Sequence, residues 1–506
     1  MGLVLPANLT RSFSRLKNCK KNRNMLKKSL NLLQKEAYET GNNTLNRKLN
    51  AFNLIAIGIG VIIGAGLFSL TGMAAASHTG PAVTLSFLLA AVGCAFSALC
   101  YAEFAALVPV SGSAYTYSYA SFGELFAWII GWDLILEYSV GAATVAISWS
   151  QYLIRFLASF GLQLPPQLVA SPFETVTLAN GSVVTGILNL PAILVVVGIT
   201  LVIIRGVQTS ALFNAIIVVL KVSIVILFIA LGWKYINPSN YVPYIPKNTG
   251  VFGEFGVSGI FRGAGVIFFV FIGFDIVATM AQETKNPKRN MPIGIIGSLV
   301  ACTILFVLFG HVLTGLANYT EFKDSAAPVA IAIEKTPYAW LSPAIILAIL
   351  VGYVSVILVD LMGQSRVFFS MSRDGLLPKV FADVHSRFRT PYKSNILLCV
   401  FISLFAGLVP IRVVGELVSI GTLLAFVMVC LGVWVLRKKQ PDIPRAFRTP
   451  WVPLVPILGI VTCLALMVSL PLDTWIRLFV WLAIGLVIYF TYGKKNSKLR
   501  KDKEAV

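Results

Sequence analysis

Charge is scarce in this chain: only 12% of its 506 residues are Asp, Glu, Lys or Arg, where a soluble domain carries about a quarter. With 57% hydrophobic residues beside that scarcity, an ordinary globular domain is excluded and a polytopic membrane protein is indicated. Histidine is nearly missing, with three in the chain. The seven cysteines (Cys19, Cys94, Cys100, Cys302, Cys399, Cys430 and Cys463) contain no close C-x-x-C pair. A disulfide framework, a metal site and a bound cofactor are therefore not expected. No nucleophile–base set is visible, so an enzyme is not expected either. Residues 1–24 lack the apolar core of a secretory signal, so the first apolar segment is expected to stay as an uncleaved helix.

What the chain has instead is apolar length. Twelve runs are long enough to span a bilayer, which takes roughly 20 residues each. They lie near 51–76, 81–108, 122–155, 188–206, 211–234, 257–282, 291–316, 339–371, 394–411, 413–436, 451–471 and 474–492; the fourth and ninth are the weakest. The net charge of +20 is unevenly placed: eleven Lys/Arg precede residue 51 and six follow residue 492. An even number of spans puts both ends on one side. Adding Arg205 and the loops after spans six, eight and ten brings 31 of the 41 basic residues to that side. By the positive-inside rule both termini are cytoplasmic, and the basic excess reports topology and contact with anionic lipid rather than nucleic acid. The expected divisions are a basic tail at 1–50, a core of helices one to ten at 51–436, a cytoplasmic loop at 437–450, helices eleven and twelve at 451–492, and a basic tail at 493–506. Within the first tail, Arg11 to Lys28 is basic and weakly amphipathic; a solvated tail is favoured there over a membrane-surface helix.

Two runs carry glycines mid-span: Ile59-Gly60-Val61-Ile62-Ile63-Gly64-Ala65-Gly66-Leu67-Phe68 in the first, and Phe268-Phe269-Val270-Phe271-Ile272-Gly273-Phe274-Asp275 in the sixth. A helix that opens inside a bilayer bares N–H and C=O groups at several kcal/mol each, so it survives only where it lines a cavity or holds a ligand. Glycine can also serve close helix packing. Paired breaks in corresponding positions of two halves instead point to a transporter's binding site.

Charges inside spans cost about 2.5–3.5 kcal/mol each and call for a reason. The candidates are Glu103, Asp133, Glu137, Lys221, Asp275, Asp360 and Arg366. Arg366 is near a span end and can snorkel. Asp133 and Glu137, four apart, share a helix face; Glu103 and Asp133 are read as structurally paired. Lys221 stands among apolar neighbours, where it either exchanges a proton, replaces a sodium ion as a fixed cation, or pairs permanently with Asp360 or Glu137. The proton role is favoured. Asp360, mid-span in the eighth run, suits a cationic substrate side chain.

Several of these residues resemble a known family. Gly64-Ala65-Gly66-Leu67-Phe68, Gly273-Phe274-Asp275, Glu283-Thr284-Lys285-Asn286-Pro287-Lys288-Arg289, Gly131-Trp132-Asp133-Leu134-Ile135-Leu136-Glu137-Tyr138 and Ser372-Arg373-Asp374-Gly375-Leu376-Leu377-Pro378 are similar to amino acid permeases of the amino acid–polyamine–organocation superfamily, in its cationic amino acid transporter branch. The resemblance spans roughly residues 45–495. It implies an all-α membrane protein of 12 transmembrane helices, with a five-plus-five inverted-repeat core, broken helices one and six, and two helices outside the repeat. It further implies a substrate carboxylate on the amides of Gly64, Ala65 and Gly66. The α-ammonium would lie near the carbonyls of Ile62, Ile63, Phe269, Val270 and Ile272, and Phe274 would be an aromatic gate. Lys221 matches the lysine that occupies the sodium position in proton-coupled relatives, and Glu137 an acidic residue of helix three. Relatives often carry Thr or Ser at Ala65, and serine or an apolar residue at Asp360.

The expectation is a multi-pass permease of a prokaryotic plasma membrane that imports an amino acid with a proton, the substrate being lysine, arginine or ornithine. Rival readings are a neutral amino acid permease of the same fold, an amino acid exchanger and, more remotely, a non-transporting nutrient sensor. An ion channel is disfavoured because no selectivity-filter repeat is present.

Overall fold

The computed structural model describes residues 49–504 apart from 111, 178–182, 206–210, 324, 326, 384 and 386–389. Residues 1–48 of the expected tail at 1–50, with Cys19, and Arg387 and Arg389 of the loop after span eight, lie outside the described residues. Among those described, the chain is almost wholly helical. The principal helices in chain order are α1 (Ala51–Ile62), α2 (Val83–Leu107), α3 (Glu124–Ala158), α4 (Leu190–Ile204), α5 (Ala211–Trp233), α6 (Gly256–Ile267), α7 (Phe274–Thr279), α8 (Pro287–Leu316), α9 (Ser342–Arg373), α10 (Tyr392–Leu408), α11 (Ile411–Lys439), α12 (Leu454–Ser469) and α13 (Leu472–Ile488). A small antiparallel hairpin, β1 (Thr175–Thr177) with β2 (Val183–Thr185), pairs Val176 with Val184 in the α3–α4 connection.

Among the described residues, eight helical stretches are long and apolar enough to cross a membrane, and four apolar helices are shorter: Ala51–Ile62, Leu190–Ile204, Tyr392–Leu408 and Leu454–Ser469. The two weakest runs of the sequence are thus among the short ones. Helix α4 starts where the Asn189 side chain accepts from the amide of Ala192 at 3.3 Å and ends before Arg205. The bundle is assembled around α3 and α8: α9 and α11 pack along α3, while α1 and α2 pack along α8. Side chains facing outward along α4, α8, α10, α12 and α13 are apolar and exposed, among them Leu194, Val300, Leu404, Val461 and Val480. That surface suits hydrocarbon as its solvent.

Both glycine-bearing runs are interrupted, as their sequences suggested. Helix α1 stops at Ile62, Ile63 is extended (φ −77°, ψ 96°), and helical turns resume at Gly66. Helix α6 tightens into a 3₁₀ turn over Phe268–Phe271, then Ile272 is extended and Gly273 takes φ +133° before α7 begins. Only glycine adopts that φ without strain. The two breaks touch: a Cβ on Gly66 would stand 2.7 Å from the Cα of Val270, and one on Gly273 would stand 2.9 Å from Val61 Cγ1 and 3.1 Å from the amide nitrogen of Ile62. The entry to α1 is tied to the same region, since the Leu49 amide donates to the Glu283 carbonyl (3.0 Å) and the Lys285 amide to the Leu49 carbonyl (2.8 Å).

Candidate functional site at the paired helix breaks

Where the breaks meet, the bundle leaves a narrow hollow with room for little more than a water molecule. Val61, Ile62, Gly64, Ala65 and Gly66 line it from the first break, and Phe269 and Ile272 from the second. Helix α3 contributes Glu137, Tyr138, Gly141 and Val145; α9 contributes Val356 and Asp360; α11 contributes Val418. The helical stretch that starts at Gly66 has first amides without intrahelical acceptors, and α1 ends with carbonyls in the same situation. Unsatisfied donors and acceptors therefore stand close together in a chamber that also holds the Glu137, Tyr138 and Asp360 side chains.

Of the residues expected to bind, Ile62, Gly64, Ala65, Gly66, Phe269, Ile272 and Asp360 are on the cavity wall, with Glu137 beside them. Ile63 and Val270 are buried behind it; Val270 sits directly under Gly66. Phe274 is placed differently from the expected gate. Because Gly273 turns the chain, the ring enters an aromatic cluster with Phe426 (4.9 Å between centroids) and Tyr101 (5.8 Å), and the ring on the cavity is Phe269. The sequence reading missed Val61, Tyr138, Gly141, Val145, Val356 and Val418. Stepping by four along α3 from Glu137 reaches Gly141 and Val145, and stepping back by four from Asp360 reaches Val356, so helical periodicity held that signal.

The intramembrane charges are distributed unevenly among partners. Glu103 is paired as expected, accepting from Arg437 Nε (2.8 Å) and Nη2 (2.9 Å), with Arg445 Nε at 3.0 Å. Arg366 meets Glu283 at 3.0 Å. Asp275 accepts from its neighbour's backbone, Gly273 N–H at 3.0 Å, and from Tyr138 O–H at 3.2 Å, which fastens the second break to α3. Asp133 departs from the expected pairing: both its oxygens are buried without a hydrogen-bond partner among the described residues, packed where Gly421 of α11 leaves room. Glu137 lies within electrostatic reach of Asp133, Asp275 and Asp360.

Lys221 reaches the first break without lining the cavity. Its Nζ donates to the Gly60 carbonyl at 2.6 Å, one of the acceptors freed where α1 ends, and its stem runs over Gly352 of α9. The described ion pairs do not join it to Asp360 or Glu137. Asp360 is nine-tenths buried, and its carboxylate stands 3.6 Å from where a Gly141 Cβ would be. Asp360 therefore presents its carboxyl group to the chamber, with Lys221 within electrostatic reach but outside ion-pair distance.

A narrow hollow at the crossing of two interrupted helices, inside an apolar helical bundle, is the arrangement of a secondary transporter. The amino acid permease family model matches residues 49–490, and this chain belongs to that family. It is 45% identical to the branched-chain amino acid permease BcaP of Bacillus subtilis over 92% of this chain and 97% of the relative. It is 42% identical to the methylthioribose transporter of the same organism, over 90% and 96%. A vacuolar cationic amino acid transporter 4 from Arabidopsis thaliana matches at 36%, over 79% of this chain and 65% of the relative.

Proposed function

We propose that this protein is a proton-coupled permease that imports amino acids across a cell membrane and prefers cationic ones: lysine, arginine or ornithine. Its twelve spans comprise the eight long apolar helical stretches and the four shorter helices, with residues 51–436 forming the inverted-repeat core and both termini cytoplasmic. The substrate carboxylate rests on the amides at Gly64–Gly66, and its ammonium on carbonyls of Ile62 and Ile272. Phe269 closes over the bound molecule. The side chain extends toward Asp360.

The observation that supports cation selection is the Asp360 carboxylate on the cavity wall, out of contact with Lys221. A lysine or arginine side chain would supply the missing partner for a charge already taken from water. Uptake of labelled arginine, lysine, alanine and leucine into proteoliposomes tests this directly. Asp360→Ser is expected to lower arginine and lysine uptake at least about tenfold, roughly 1.4 kcal/mol, while sparing alanine. If all four fall together, or if arginine fails to compete in the unmutated protein, Asp360 is structural.

A second reading has its own observation. Val145, Val356 and Val418 make the rest of that wall aliphatic, and two relatives of near-full coverage bear the names of a branched-chain amino acid permease and a methylthioribose transporter. On this reading leucine or valine enters the chamber, and the same panel shows leucine winning the competition. Counterflow against an internal amino acid load separates an exchanger from a symporter.

A further inference from the structure

A second hollow lies outside the bundle core, against the first turns of α8. It is an open groove of about 590 Å³ between Lys288, Arg289, Ile293 and Ile296 on one side and Ala446 and Phe447 on the other. Lys288, Arg289 and Ile293 are exposed, and Ile296 and Phe447 are half-buried. The chemistry is divided: two cations stand at the rim, at the very start of α8, and apolar surface follows along the helix. Neither cation has an ion-pair partner among the described residues. Glu283, the nearest acid along the chain, is already held by Arg366 at 3.0 Å.

A soluble anion would use the rim and leave the apolar floor bare, and an uncharged hydrocarbon would do the reverse. The chain's own N-terminal segment enters nearby, because Leu49 is hydrogen-bonded to Lys285. Its eleven Lys/Arg before residue 51 would be repelled by the rim. From this complementarity we infer that the groove is a binding site for an anionic phospholipid, with the phosphate and headgroup on Lys288 and Arg289 and an acyl chain along Ile293, Ile296 and Phe447. Basic hollows at the ends of membrane helices on the cytoplasmic side have the right charge for such headgroups. The leaflet it faces rests on the orientation proposed above; the binding itself does not.

Native mass spectrometry of the full-length protein in detergent, with added phosphatidylglycerol or phosphatidylcholine, tests the site without any transport measurement. The unmutated protein is expected to retain phosphatidylglycerol at least about fivefold better than phosphatidylcholine, and Lys288→Ala/Arg289→Ala to abolish that preference. Should the double variant not fold, Lys288→Gln and Arg289→Gln are made singly, each expected to cut retention at least about twofold. Lys494→Ala/Lys495→Ala, away from the groove, is expected to keep the preference in full. Equal retention of the two lipids, or undiminished phosphatidylglycerol binding in the groove variants, overturns the inference. So does full competition by millimolar inorganic phosphate, which would make the site one for a free anion. A protein that fails to carry amino acids yet holds the lipid leaves this inference standing, so the two readings fail separately.

Discussion

Gly66 carries a hydrogen where nearly every other residue would bring a carbon, and the first break depends on it. A Cβ there would be 2.7 Å from the Cα of Val270 and 2.9 Å from Val270 Cγ2. The first neighbour is backbone of the other broken helix and cannot swing aside. Gly64 is different, for its Cβ would meet the Val356 side chain at 3.3 Å and the Val61 carbonyl at an ordinary 3.7 Å. Gly66→Ala is therefore expected to lower amino acid uptake at least about tenfold, or roughly 1.4 kcal/mol, because overpacking pushes the two breaks apart. Gly64→Ala should retain most of the activity. Uptake normalised to the amount of inserted protein reads the difference, and equal activity of the two variants would show that the breaks need not touch. The glycine triplet was legible in the sequence, but the unequal demands on its two glycines were not. They arise from Val270 and Val356, which lie more than 200 residues away along the chain.

At the scale of elements, the end of α2 is fastened to α11 and to the loop before α12 through one carboxylate. Glu103 receives Arg437 twice and the Thr449 amide at 2.8 Å, with Arg445 beside it. Glu103 and Arg445 are almost fully buried, while Arg437 is partly exposed. Removing one partner of a buried pair costs about 3–5 kcal/mol, because the other charge is left without a counterion. The exposure of Arg437 places this cluster toward the lower end. Glu103→Gln is expected to lower the melting temperature of the purified protein and loosen the loop at 440–450, seen as faster proteolysis there. An unchanged melting curve would mean that the cluster contributes little. A comparable fastening holds the C-terminal segment: Glu124, at the start of α3, accepts from Arg500 Nε at 2.7 Å and from the hydroxyls of Tyr489 (2.9 Å) and Ser497 (2.5 Å). The sequence marked Glu103 as a charge needing a reason, but its partners lie over 300 positions away and no local pattern announces them.

For the whole molecule, the proposed proton coupling centres on Lys221. Lys221 ties α5 to the last turn of α1 through the Gly60 carbonyl, so its protonation state bears on the element that forms half the chamber. Lys221→Ala is expected to abolish accumulation driven by an inward proton gradient while leaving residual exchange, and the unmutated protein is expected to ignore sodium. Uptake into proteoliposomes under imposed proton or sodium gradients measures both; sodium-driven accumulation would remove Lys221 from the coupling role. The link runs through a backbone carbonyl that only a broken helix leaves free. A permanent ion pair with Asp360, the sequence's competing account, would have left that carbonyl to water or to nothing.

The sequence alone determined that the chain is an all-helical membrane protein with interruptions in its first and sixth apolar runs. Those properties are local: hydropathy over about 20 residues sets a candidate span, and glycine sets where a helix can open. It also named most of the chamber's wall, because the interrupted segments themselves form half of it. Tertiary structure decided the rest. It put Phe269 rather than Phe274 on the cavity, since the direction of a ring after Gly273 depends on a φ of +133° and on Tyr101 and Phe426 being there to receive it. It turned Lys221 toward Gly60 and left Asp133 without a hydrogen-bond partner among the described residues. Which charge faces which is a matter of angles between helices far apart in the chain, and hydropathy carries no record of those angles.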